Sequence, residues 1–374
     1  MITQGRCKAL SPEARSQGVS AVTASVEVLA PGALATVQDL GRTGWRRFGV
    51  PGCGALDPAL LRIANRLAGN AEGAPAIEFF SAGPTLKAID APVRLGFAGD
   101  FLLTVVRASG ERRQLGAWRS VTLWPGDTLR AGPLRSARAG VVALRGLAVP
   151  LVLGSASTYT RAQFGGLGGR ALAVGDKLMA CALPLPAGRV PTECLLRRPP
   201  LADHSALGVV IRAVPGPQAD HFDAGALATF FTRRYQVSAD ADRMGVRLQG
   251  PALLHNGKGS EIVSDATVPG SVQVPGNGQP IVLLADGQTA GGYPKIATVV
   301  SADLPRLALA AVGAWLRFEA VTVAQAEALA REKEAGLRRL LASIEALALH
   351  DDIDLTALYS SNLVGGMIDA LHPT

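Results

Sequence analysis

The feature that most constrains this chain is its punctuation. From residue 26 onward, short apolar runs are interrupted again and again by glycine or proline. There are 43 glycines and 24 prolines in 374 residues. Glycine loosens a helix interior and proline breaks it, so little of the chain can become long helix. Apolar runs bounded by such residues read as short strands joined by tight turns. The chain is 48% hydrophobic and 18% charged, which is a globular composition. Its length exceeds one compact core and suggests two. The expected fold class is mainly β with α: two β-rich domains, the second a small barrel, and a C-terminal helix.

The first expected strand is Val26–Leu29, ending at the Pro31-Gly32 turn, and a second covers Thr36–Gln38. Asp57-Pro58 is a helix start, with Asp as N-cap and Pro at the first helical position. Leu60, Ile63, Ala64 and Leu67 then share one face, and Gly69 closes the helix. Further strands are expected at Val93–Phe97, Phe101–Val106, Val121–Leu123, Thr128–Arg130 and Gly140–Leu144. Leu153–Tyr159 and Phe164–Arg170 are too glycine-rich for a core element. They form either a loop that brings backbone close to something or a flexible connection. Residues 183–204 carry five prolines and mark a boundary near 200. Beyond it, strands are expected at Gly208–Val214, Val246–Leu248, Glu261–Val263, Ser271–Val274 and Ile281–Ala285, with a helix over Phe222–Arg233. A last helix starts at Thr322, where Gln325 completes a capping box. Leu337, Leu340, Leu341, Ile344 and Leu347 are its apolar stripe. The resulting division is a disordered leader over 1–25, an N-terminal mainly-β domain over 26–200, a barrel domain over 201–320 and a helical tail over 321–374.

The formal charge of +7 comes from scattered residues. The basic pairs Arg46-Arg47, Arg112-Arg113, Arg197-Arg198 and Arg233-Arg234 are isolated from one another. A nucleic-acid surface needs clustering with interleaved aromatics, so an anionic small molecule or an acidic partner fits better. Cys7, Cys53, Cys181 and Cys194 show no C-x-x-C spacing. That argues against a zinc site or a disulfide framework and points to a reducing cytoplasm. Arg145 and Asp286 interrupt the candidate membrane spans. The polar start lacks the apolar core of a signal peptide.

Several motifs fail on inspection. Asn256-Gly257-Lys258-Gly259-Ser260 lacks the first glycine and the Ser/Thr position of a phosphate-binding loop. No dinucleotide fingerprint, nucleophile elbow or metalloprotease motif occurs. The five histidines share no ligand spacing, so no metal is expected. Cys53, between two glycines, is a nucleophile candidate with no histidine near it in sequence.

The densest chemistry follows the apolar run Pro280–Ala285. Residues 286–295 gather Asp286, Gln288, Thr289, Gly291, Gly292, Tyr293 and Lys295. Adjacent glycines let backbone N–H groups approach a ligand closely. Four further segments accompany this loop: Val37–Arg42 with Gly49–Pro51 and Ala55–Asp57; Ala64–Asn70; Gly154–Tyr159; and Asp242–Leu248. As an ordered set these segments resemble the biotin-dependent carboxyltransferase family, also called allophanate hydrolase subunit 2. The likeness runs from about residue 26 to 320 and continues weakly into Ser361–Gly366. It departs at Cys53, where family members usually carry serine, and a thiol is a poorer donor and acceptor than a hydroxyl.

The resemblance implies a cyclophilin-like barrel in the C-terminal region. It also implies a partner of the KipI/PxpB type and, in stand-alone relatives, a second partner of the LamB/YcsF type. With these two proteins, a chain of this family would be the C component of an ATP-dependent 5-oxoprolinase, which opens a lactam to glutamate. Fused relatives such as urea carboxylase use biotin instead. No Met-Lys pair occurs here, so biotin would sit on another protein. A third implied role is regulatory, as in KipA, with partner binding as the whole function. For the enzymes, the expected catalytic residues are Asp286 as proton acceptor, Tyr293 as phenol donor and Lys295 as point charge. Expected substrate contacts are Gln288, Thr289, Gly291, Gly292, Arg243, Gln38, Asp39, Asp57 and Asn65, to a small carboxylic acid or lactam. ATP is used by the complex, with no site assigned on this chain. The alternatives are structural. Asp286 caps a turn, Gly291-Gly292 is only a tight turn, Tyr293 and Lys295 are packing and surface. Gln38, Asp39, Asp57 and Asn65 serve caps and loops, and Arg247 lies on an outward strand face.

Overall fold

A computed structural model describes residues 23–135, 137–184, 191–199 and 209–347. The expected leader up to residue 22, the likeness at Ser361–Gly366 and the tail beyond 347 lie outside the described residues. So does much of the proline-rich segment.

The chain is mostly β, as the punctuation predicts. Two antiparallel sheets come first. A six-stranded sheet runs in the order Lys177–Cys181, Thr23–Ala30, Thr85–Ala88, Thr128–Ala131, Leu102–Val106, Arg112–Gly116. A five-stranded sheet runs Ala33–Gln38, Ala76–Phe80, Ala139–Leu144, Val93–Ala98, Ser120–Leu123. Helix α1 (Pro58–Ala68) packs on the second sheet. Asp57 caps it by accepting from the Ala59 N–H, and Gly69 ends it in the left-handed conformation. Gly96 makes the contact possible, because a Cβ there would lie 2.1 Å from the Ala64 carbonyl oxygen.

Seven strands then close a barrel in the order Val209–Pro215, Lys295–Val299, Ser271–Gln273, Ile281–Leu283, Gly245–Gln249, Arg234–Val237, Trp315–Ala320. Closure is made by parallel pairing of the first and last of these, with Val209 opposite Leu316 and Ala213 opposite Ala320. Closing the sheet removes its edges. Helix α2 (Ala224–Thr232) sends Phe230 onto Phe318, with ring centroids 4.3 Å apart.

Helix α3 (Leu304–Ala308) is short, and α4 (Val323–Ala342) opens with the expected Thr322–Gln325 capping box. The apolar stripe read onto α4 is too long. The helix stops at Ala342, where the Ser343 hydroxyl donates to the Leu340 carbonyl. Leu347 lies instead in the strand Glu345–Leu347, which pairs with Glu193–Leu195. The strand expected at Glu261–Val263 does not form, and Val263 is 94% exposed. That run has no buried face to specify a register. The pairing falls instead on Asp265–Ala266 with Ala290–Gly291. Cys53 and Cys181 are free, but Cys194 is disulfide-bonded, an exception to the cysteine reading. Among the described residues, no helix is long and apolar enough to cross a membrane.

Candidate active site

Arg243 bridges two carboxylates at the junction between the sheets and the barrel, where Arg46 and Arg138 also donate to the carbonyls of Thr267 and Ala241. Arg243 precedes the barrel strand Gly245–Gln249, and its guanidinium is buried. Nε and Nη2 donate to the two oxygens of Asp286 at 3.0 and 2.9 Å. Nη2 also donates to the Gly54 carbonyl at 2.6 Å, and Nη1 pairs with Glu78. Glu78 lies in the fully buried strand Ala76–Phe80, and its second oxygen accepts the Leu56 N–H at 2.7 Å. Two carboxylates from different parts of the fold therefore share one guanidinium. Burial works against the Arg243 charge, but Glu78 and Asp286 outweigh it and hold the group protonated. Burial pushes the Glu78 carboxyl up, against the pull of Arg243.

Cys53 sits over this bridge. Its N–H donates to the Ala285 carbonyl at 3.0 Å, and its backbone is left-handed with φ of 54°. Burial first, and the Asp286 charge second, push its thiol up to about 12. A thiol in that state is not a thiolate nucleophile at neutral pH. It lines a cleft of about 340 Å³ that also reaches Leu284, Lys333 and Glu334.

The rest of the 286–295 loop surrounds a second group of polar side chains. The Gln288 amide donates to the Gln273 carbonyl oxygen at 2.9 Å, and Gln273 donates to the Tyr293 carbonyl at 3.4 Å. A Cβ at Gly291 would come within 2.5 Å of Gln273 Nε2, so a larger residue there would displace the Gln273 side chain. The Thr289 carbonyl accepts the Thr267 N–H. The Gly292 carbonyl accepts the Ile262 N–H. Tyr293 is 40% exposed and lines, with Gln288, a cavity of about 260 Å³. Lys295 is not a surface residue. It is 4% exposed, and its ammonium meets Asp265 at 2.8 Å. That contact holds Asp265 below the usual carboxylate range.

The remaining expected contacts lie elsewhere and are bonded within the protein, except that the buried Oε1 of Gln38 has no hydrogen-bond partner among the described residues. Asp39 accepts from the hydroxyls of Ser155 and Ser157 and from the N–H groups of Gly41 and Ala156. Gln38 donates to Thr36 and to the Thr158 carbonyl. Asn65 donates to the carbonyls of Glu72 and Ala74 and accepts from Asn70. Asp57 caps α1 at the wall of the 340 Å³ cleft. The structure thus brings Asp286 to Arg243, and Gln288 to Tyr293, but leaves Gln38, Asp39 and Asn65 in internal bonds. Glu78, Gln273 and Asp265 were not read from the sequence. An acid inside the apolar run Ala76-Ile77-Glu78-Phe79-Phe80 was the available signal.

The chain as a whole has counterparts among known proteins. Residues 48–320 match the model of the carboxyltransferase domain, subdomain A and B. The chain belongs to that carboxyltransferase family. It is 36% identical to the C component of the 5-oxoprolinase of Haemophilus influenzae over 316 residues, which covers 84% of this chain and 97% of that one. It is 30% identical to the urea amidolyase of Lachancea kluyveri over 333 residues, 84% of this chain but only 18% of the relative. The crystal structure of the Kluyveromyces lactis urea carboxylase superposes with a TM-score of 0.74 at 27% identity, over 88% of this chain and 30% of that one. The carboxyltransferase match takes in both halves of the Arg243 bridge, so the junction lies inside the shared unit.

Proposed function

We propose that this chain is the C component of an ATP-dependent 5-oxoprolinase, which hydrolyses 5-oxo-L-proline to L-glutamate together with two partner proteins. The observation that carries the reading is one of extent. The likeness spans 97% of a stand-alone 5-oxoprolinase component but 18% of a fused urea amidolyase. The proposed partners are one protein of the KipI/PxpB type and one of the LamB/YcsF type.

A lactam resists water because its amide is resonance-stabilised. Transfer of the ATP γ-phosphoryl group to the amide oxygen makes the carbon electrophilic and releases ADP. Water then adds to that carbon, the ring C–N bond breaks, and the nitrogen leaves with a proton. A second water releases phosphate from the resulting acyl phosphate, giving glutamate. ATP enters here as a reactant of the complex. On this chain, Lys258 in the glycine-flanked 256–260 loop is exposed and paired with Asp220, so that loop offers no phosphate cradle.

In this scheme negative charge grows on oxygen and must meet fixed donors. The 286–295 loop offers Tyr293, the Lys295 charge and the amide of Gln288. Asp286 is the proposed proton acceptor, with Arg243 fixing its orientation and Glu78 fixing Arg243. Carboxyl transfer from biotin carried by another protein is the second reading, favoured by the superposition on urea carboxylase. Co-expression with both partners and an ATP-dependent glutamate-release assay tests the proposal. Turnover that needs all three chains supports it. A stable complex of this chain with the KipI/PxpB-type partner that never releases glutamate overturns it in favour of carboxyl transfer or regulation.

A further inference from the structure

We infer that the cavity beside Gln288 and Tyr293 is a subsite for the carboxylate of a small α-amino-acid-like molecule, gripped by Arg161 and Arg247. The substrate's identity rests on the 5-oxoprolinase reading; the carboxylate subsite does not. The two arginines come from different parts of the fold. Arg161 is carried by the short turn Thr160–Ala162 in the glycine-rich loop of the sheets. Arg247 points outward from the barrel strand Gly245–Gln249. Both line the same cavity of about 260 Å³. Neither makes an ion pair or a side-chain hydrogen bond with another described residue, whereas Arg62, Arg212 and Arg243 are all paired with carboxylates. Two unengaged guanidinium groups around one concavity suit a carboxylate, which they can bind with charge-assisted, forked hydrogen bonds.

The rest of the lining fits an amino-acid head. Ile281 and Leu283 give it an apolar wall. The Gln288–Gln273 amide pair fixes Gln288 so that its carbonyl oxygen remains an acceptor for a lactam N–H. Asp242 is occupied, since one oxygen accepts the Met244 and Gly245 N–H groups at 2.8 and 3.1 Å. Asp240 has no such side-chain commitment and lines the same space. In 5-oxoproline and in glutamate, a carboxylate and a nitrogen sit on the same carbon. Two arginines beside the uncommitted Asp240, with Asp242 held by backbone N–H groups, match that pattern. The volume lies just below the usual range for drug-sized ligands, about 300–1,000 Å³, and suits a smaller molecule.

The test is calorimetric titration of this chain, alone and in its reconstituted complex, with 5-oxoproline and with 2-pyrrolidinone, which lacks the carboxylate. Arg161→Gln and Arg247→Gln are exposed changes that leave the barrel and sheets untouched. Each should weaken 5-oxoproline binding by about 10- to 100-fold, the loss of a charge-assisted contact. Arg247→Lys should recover part of the loss. Arg331→Gln, on the exposed face of α4, should change nothing, and 2-pyrrolidinone should bind no better than the variants bind 5-oxoproline. Equal affinity in wild type and both variants, or no carboxylate binding to chain or complex, overturns the subsite. Glutamate release with unchanged KM in both variants overturns the subsite but keeps the 5-oxoprolinase reading. Arginine-dependent binding without turnover keeps the subsite and overturns that reading.

Discussion

Two glycine-rich loops in this protein look alike in sequence and end differently in space. The 154–170 loop of the sheets closes on its own protein. Asp39 takes four donors from the protein, three of them from Ser155, Ala156 and Ser157, and buried Arg42 donates to the carbonyls of Val152 and Ser157. Gly165 and Gly169 have positive φ, and a Cβ at either would meet backbone within about 2.1 Å. The 286–295 loop of the barrel is also bonded along its length, from Asp286 on Arg243 through the carbonyls of Gln288, Thr289 and Gly292 to Lys295 on Asp265, but its Gln288 and Tyr293 side chains border a cavity. Glycine density therefore marks close approach in both. What separates the candidate site from the packing loop is that its Gln288 and Tyr293 side chains border a cavity.

The sharpest way to break the comparison is to cut the junction between the two regions. Arg243→Leu leaves Glu78 and Asp286 buried without their shared cation. Losing one partner of a buried ionic cluster costs about 3–5 kcal/mol, and urea denaturation should show it as a large drop in midpoint. A variant as stable as wild type would mean that the bridge is not holding the two regions. Asp39→Ala comes next. It strands several buried donors, each costing about 1–3 kcal/mol when unsatisfied, so a loss of about 3 kcal/mol is expected. Binding of the KipI/PxpB-type partner by the folded fraction should persist. Lys295→Ala should instead show its effect in turnover, by about 100-fold on the scale of a lost charge-stabilising group, with the barrel's near-ultraviolet dichroism kept.

A pH dependence at Cys53, confined to alkaline pH, comes last. Its folded thiol is pushed up to about 12, above the ordinary range. A group raised on folding contributes stability fully below its unfolded value and loses it as pH rises toward the folded value. Wild type should therefore lose stability between about pH 9 and 12 more steeply than Cys53→Ser, in which nothing titrates at that position. Parallel curves would show that the thiol is not buried against Asp286.

Local chemistry made much of the fold legible. Helix α1 announced itself through Asp57, Pro58 and Gly69, and α4 through Thr322 and Gln325, because caps are satisfied within a turn. Most predicted strands are present for the same reason. Barrel closure was only partly legible. The strand Trp315–Ala320, parallel to Val209–Pro215, is a pairing between segments about a hundred residues apart, and no local pattern encodes it. The candidate site was visible as a concentration of polar residues in 286–295, but not the second carboxylate on Arg243. Glu78 lies about two hundred residues upstream, in the strand Ala76–Phe80, which is not among the strands expected from the sequence. Nor did the sequence separate Asp39, bonded to the hydroxyls and N–H groups of the 154–170 loop, from Asp286, bonded to the Arg243 guanidinium. That difference depends on which side chains meet after folding.

The most direct test places Asp39→Asn and Asp286→Asn side by side in the reconstituted three-chain complex, each measured for melting temperature, partner capture and ATP-dependent glutamate release. Asp286→Asn should lose turnover while capture and most of its stability remain, because Glu78 still holds Arg243. Asp39→Asn should lose stability while its folded fraction turns over at near the wild-type rate. Full activity in Asp286→Asn, or a loss of turnover in folded Asp39→Asn equal to that of Asp286→Asn, would contradict the division of labour between the two loops.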